Sequence, residues 1–184
     1  MIDFSNLLDN LLLNSSKKKK IDFLSDYFQS QTQQNKIWAL SILSKSFVNK
    51  LVKVKDIKEL LMGKVDEELF LYSYDYVGDI AETFSLLWPK DNSKIINSQS
   101  LSSFMSSLEK QTSKDDLIIF LTNHFSTCLP NEIYTTIKIL LGGLRVGVSN
   151  ELLKESLSKI GSRSKEEIEE NWYCLLYTSD AADD

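Results

Sequence analysis

Apolar residues recur along this chain at intervals of three and four, the period of one helical face, and no convincing pair of alternating strand patterns interrupts them. Phe4, Leu7, Leu8, Leu11 and Leu12 fit that spacing, and Asn14-Ser15-Ser16 breaks it before a second helix carrying Ile21, Leu24, Tyr27 and Phe28. Beyond a polar stretch at 29–35, a third helix is expected to bury Ile37, Leu40, Ile42, Leu43 and Phe47. A short helix over 56–62 should stop at Gly63, and Asp66 should open another through Leu69, Phe70 and Tyr74. Asp79-x-x-Glu82 has the spacing of a capping box, with Pro89 just past the helix it starts.

The second half repeats this grammar. Ser100 leads a helix through Phe104, Met105 and Leu108, and Ser113-x-x-Asp116 starts the next, with Leu117, Phe120, Leu121 and Phe125 inward. Pro130 and Asn131 precede a helix over 133–141 that runs into a glycine pair; a helix over 151–160 follows, and Ser164-x-x-Glu167 caps the last. About eleven helices without a fixed repeat predict an irregular all-α domain over residues 1–173, not a regular solenoid.

Residues 174–184 break with this pattern. Cys-Leu-Leu-Tyr-Thr-Ser-Asp-Ala-Ala-Asp reads as the translation of a sequencing adapter, so the native chain is expected to run only to Tyr173, with further domains encoded beyond it. The tail holds Asp180, Asp183 and Asp184. Setting it aside changes the balance of Lys and Arg against Asp and Glu from 21 against 26 to 21 against 23. A nearly neutral domain has no global field for nucleic acid, so any such contact must come from local clusters. Cys128 alone remains of the two cysteines, which excludes a disulfide framework. No apolar run approaches the length of a membrane span, and cytoplasm is the expected compartment.

Catalytic motifs are missing. There is no P-loop, no Gly-x-Ser-x-Gly elbow and no His-Glu-x-x-His pair. His124 and Cys128 stand one helical turn apart, but one such pair offers too few ligands for zinc, and burial or simple exposure at a helix end is the commoner outcome. No catalytic or metal-binding residue is therefore assigned. The four lysines at 17–20 read first as a solvated helix start.

The segment Ile139-Leu140-Leu141-Gly142-Gly143-Leu144-Arg145-Val146-Gly147-Val148-Ser149 is the most distinctive in the chain. Its bland reading is a helix cap, with Val146 and Val148 packing down and Arg145 in water. Its functional reading uses the same cap: glycines carry no side chain to hold a duplex away, so backbone amides and Arg145 can reach sugar and phosphate or the minor groove.

Together with Tyr76-Val77-Gly78-Asp79-Ile80-Ala81-Glu82-Thr83, Trp38-Ala39-Leu40 and Leu87-Trp88-Pro89, this segment resembles the N-terminal DNA-binding domain of ATP-dependent DNA ligases, bacterial and archaeal-like members in particular. The similarity runs in order from position 4 to about 173. It implies that Gly143, Arg145 and Gly147 lie in one of several loops gripping the minor groove on both sides of a nick. Further contacts are expected at Ser113 and Lys114, beside Thr112 at a helix start, and at Lys45 and Lys50, in a basic stretch with Lys53 and Lys55. At Gly78-Asp79 a carboxylate would repel phosphate, so that motif is expected to be a structural cap.

The resemblance further implies nicked double-stranded DNA as partner, in repair, replication or recombination. Nucleotidyltransferase and OB domains of the same polypeptide would use ATP and magnesium. The chain has no Asp-Gly pair, hence no Lys-x-Asp-Gly nucleophile, and should be a monomeric, catalytically inert module. A helical protein-interaction scaffold with no nucleic-acid role is the competing class.

Overall fold

The structure is a computed structural model that describes residues 1–89, 99–161 and 163–172. Among those residues it is all-α, with eleven helices: α1 (Ile2–Leu13), α2 (Lys17–Ser30), α3 (Gln33–Leu43), α4 (Val54–Met62), α5 (Glu67–Val77), α6 (Ile80–Leu87), α7 (Leu101–Glu109), α8 (Lys114–Phe125), α9 (Pro130–Leu140), α10 (Asn150–Ile160) and α11 (Lys165–Glu170). Tyr173 and the suspected adapter segment 174–184 lie outside the described residues. The chain forms two compact units. Of the described residues, the first holds 1–2, 48–89, 99 and 103–143, hence α4 to α6, most of α7, α8 and α9; the second holds 3–47, 100–102, 144–161 and 163–172, hence most of α1, then α2, α3, α10 and α11.

In the first unit α6 lies along α9, with Ala81 and Phe84 of α6 and Ile133 and Ile137 of α9 buried. Phe84 stacks on Trp88 at 5.0 Å between ring centroids, and Phe125 of α8 meets both rings edge-on at 5.1 and 5.4 Å. Offset and edge contacts of this kind add about 0.5–1.5 kcal/mol per pair beyond the area buried. In the second unit α2 packs against α10. Two small serines face each other there, and the Ser25 hydroxyl donates to the Ser156 carbonyl at 3.1 Å. Lys17–Glu155, at 2.9 Å, and Lys159–Asp22 stitch the rim of that contact.

Of the predicted caps, Asp66, Ser113 and Ser164 each accept a backbone N–H in the first turn of the following helix, and Ser164 with Glu167 completes the reciprocal box, while Ser16 makes no side-chain cap bond at the start of α2; Thr32 and Ser149 cap α3 and α10 as well. Three further expectations need correction. Asp79 accepts from the Ala81 and Glu82 amides, but Glu82 makes no return bond among the described residues. Helix α9 begins at Pro130, three residues early, because a proline at the first position has no N–H to leave unsatisfied and Glu132 accepts the Leu129 amide. Helix α3 ends at Leu43, so Phe47 lies beyond it and folds back edge-on to Trp38 at 6.2 Å.

That last ending involves strain. The Lys45 N–H donates to Ile42 and the Ser46 N–H to Ser41, the two-bond closure of a left-handed helix end, and it places Lys45 at φ +64°. A side chain in that region costs about 1–2 kcal/mol. Lys45→Gly should therefore raise stability by roughly 0.5–1 kcal/mol, read as a higher midpoint in urea with unchanged slope.

A polar cluster sits inside the first unit. His124 is buried; its Nδ1 lies 3.1 Å from the Gln99 amide nitrogen and its Nε2 3.2 Å from the Thr136 hydroxyl. Burial, with a smaller push from the N-terminal ammonium, lowers its pKa from 6.5 to about 4. The unfolded chain therefore takes up this proton first. The stability that neutral His124 provides is complete above about pH 6.5 and is lost as pH falls towards 4, a span of about 3 kcal/mol. Urea titrations across that window should show the fall, and His124→Gln should flatten it.

Candidate nucleic-acid interface

The glycine-arginine segment is built from two left-handed turns. Leu141 keeps helical angles, Gly142 swings to φ +64°, and the last turn of α9 closes as the Gly142 N–H donates to Ile139 and the Gly143 N–H to Lys138, at 3.3 and 3.0 Å. This satisfies carbonyls that a helix end otherwise leaves open. The chain then passes from the first unit to the second between Gly143 and Leu144. Arg145 is exposed, and no carboxylate lies within 4 Å of its guanidinium among the described residues. Val146 beside it is buried, and Gly147, at φ +64°, turns the chain into the Ser149 cap of α10.

Lysines hold both ends of this segment. At the α9 end, the Lys138 ammonium pairs with Asp79 and lies 5.3 Å from the Tyr134 ring centre, and the Lys138 Cδ stands where a Gly143 Cβ would meet it at 3.5 Å. Burial alone would raise the Asp79 pKa, but the Lys138 bond and the Glu82 and Ala81 amides outweigh it and leave the carboxyl below its ordinary value. The Gly78-Asp79 motif is thus a structural joint, with Gly78 at φ +73° ending α5 and Asp79 starting α6. At the α10 end, Lys20 of α2 donates to the Val146 carbonyl at 2.6 Å and lies 3.5 Å from the Gly147 carbonyl.

Neither lysine stands out in the sequence. Lys138 is one basic residue in a last helical turn, and Lys20 is the end of a run whose members look alike. The contact that gives Lys20 its role spans 126 positions. Of that run, Lys17 is paired with Glu155, while Lys18 and Lys19 are exposed.

The remaining predicted contacts are distributed unevenly. Lys45 is the exposed, left-handed end of α3, and Lys50 is exposed in the stretch after it, where the Asn49 side chain accepts from the Leu51 and Val52 amides. Lys55 pairs with Glu59 at 3.5 Å, and the Lys53 N–H is capped by Asp56. At the start of α8, the Lys114 ammonium is paired with Asp56, which holds its pKa above the ordinary value, and the Ser113 hydroxyl is committed to its own helix. Asp115 and Asp116 add negative charge to that turn, so a phosphate there competes with carboxylates already in place.

His124 and Cys128 do come together, with Sγ 3.4 Å from Nε2, but burial pushes the thiol up to about 12 while the imidazole falls to about 4. An activated pair needs the opposite, a low thiol and a protonated imidazole. No group of three His, Cys, Asp or Glu side chains that could hold a metal ion occurs among the described residues. No helix among them is long and apolar enough to cross a membrane.

A family model described as DNA ligase N terminus matches residues 1–158. A search of curated proteins found no match.

Proposed function

The chain belongs to the N-terminal domain family of ATP-dependent DNA ligases, and on that premise we propose that it holds nicked duplex DNA through backbone and minor-groove contacts. Residues 1–173 would form the monomeric DNA-binding module of a longer enzyme that serves repair, replication or recombination. Its nucleotidyltransferase and OB domains would use ATP and magnesium for the chemistry. Nothing in this chain's own residues performs a covalent step in that scheme.

One observation carries the reading: Arg145 is exposed and has no carboxylate partner among the described residues, two positions from the left-handed turn at Gly147. Several lysines near helix ends, Lys17, Lys114, Lys138, Lys159 and Lys165, are paired with acids, whereas Arg145 has no carboxylate within ion-pair range among the described residues. An arginine kept free on a pre-formed turn loses little conformational entropy on binding and can present two parallel donors to a phosphate. Gly143 and Gly147 carry no side chains to obstruct the approach. Lys45 and Lys50, exposed in one stretch, are the next candidates. Lys114 and Ser113 rank below them because their polar groups are already bonded.

Contacts of this kind count phosphates and ignore bases, so affinity should fall steeply with salt and vary little with sequence. The alternative of a protein-interaction scaffold draws on α5, where Leu69, Leu71, Tyr72 and Tyr76 are exposed. Retention on a duplex-DNA column at low salt separates the two, since a scaffold with net charge −5 should flow through. Arg145→Ala should weaken binding of the chain to nicked duplex by about 1–3 kcal/mol and lower the salt slope by about one. An unchanged dissociation constant at moderate salt would remove Arg145 from the interface.

A further inference from the structure

The ammonium of Lys20 has three donors, yet among the described residues it meets no carboxylate, only the carbonyls of Val146 and Gly147. It also occupies the space a side chain at 147 would need: a Cβ on Gly147 would lie 2.6 Å from Nζ. A trans peptide sends its C=O and N–H in opposite directions. Fixing the Val146 carbonyl on Lys20 therefore aims the Gly147 N–H away from α2. That N–H donates to no group among the described residues, and Gly147 is exposed. It lies two residues from the unpaired Arg145, on the same turn.

We infer that Lys20 is a positioning residue for this turn: it fixes the Val146–Gly147 peptide so that Arg145 and the Gly147 N–H are presented as one ordered donor set for a DNA phosphodiester. The inference rests on the proposed DNA-binding role of Arg145. Lys20 spends its strongest bond on the protein and acts on DNA through the turn. It follows that glycine at 147 is needed twice, once for the left-handed angle and once to leave room for the ammonium. A methyl group there would push the flexible end of Lys20 off the Val146 carbonyl.

Two readouts on the 184-residue chain test this, one of them independent of DNA. In K20M, backbone amide order parameters at 145–147 should fall from about 0.85 towards roughly 0.6, while those of α6 and α9 stay as they were. For nicked duplex DNA, K20M should raise the dissociation constant about three- to tenfold, and R145A added to K20M should worsen it by less than about twofold further, because the second change removes a side chain no longer well placed. G147A should resemble K20M, and K20M with G147A should bind no worse than G147A alone. Unchanged order parameters in K20M overturn the positioning role whatever the DNA measurements show. Lower order parameters with R145A harmless to binding in the wild-type background would instead sink the Arg145 reading, and the positioning role with it. Effects of K20M and R145A that multiply, with a salt slope falling by about one for each, would make Lys20 an independent phosphate contact and overturn the inference.

Discussion

Lys138 is the residue that joins α6 to α9 in the first unit. Its ammonium is bound to the carboxylate that starts α6, its carbonyl accepts the amide that ends α9, and its methylene stem lies beside the glycine that follows. One residue therefore ties the two helices together and takes part in the closure at which the chain leaves α9. Its side chain is only 16 % exposed, so the pair with Asp79 is shielded from solvent better than the rim pairs between α2 and α10. The Asp79 carboxylate is satisfied from both sides, by amides of its own helix and by this lysine. It contributes structure where a bare acid would have repelled a phosphate.

Helix boundaries were legible because the chain signals them locally. Asp66, Ser113 and Ser164 accept the amides their spacing promised, and Gly142 adopts the left-handed angle that a glycine after an apolar run suggests. Failures arose where a partner lay far off in sequence. Asp79 was expected to act only within its own four-residue motif, but its carboxylate also binds Lys138, 59 positions away; the missing return bond to Glu82 has no explanation in the structure. Lys45 was read as one charge in a basic stretch; that a lysine would occupy a left-handed helix end could not be foreseen, because residues of its type avoid that conformation.

The glycine-arginine segment was legible as a turn, but the partners of the charges along it were not. Three glycines around one arginine announce a turn free of side chains. They do not say which cations remain available. The structure divides the basic side chains: Lys17, Lys55, Lys114 and Lys138 are bound to acids and Lys20 to carbonyls, whereas Lys18, Lys19, Lys45, Lys50 and Arg145 are exposed with no ion pair among the described residues. In a chain whose total charge is close to balanced, that division decides where positive potential survives, more than the count of basic residues does.

The space shared by Gly147 and the end of Lys20 has a consequence for how this segment can change over evolutionary time. Only one of the two positions can be bulky, since a Cβ at 147 and the ammonium from 20 compete for the same few cubic ångströms. The two sites should therefore covary across related chains: wherever position 147 acquires a side chain, position 20 should be short or point elsewhere, although the two lie at opposite ends of the sequence.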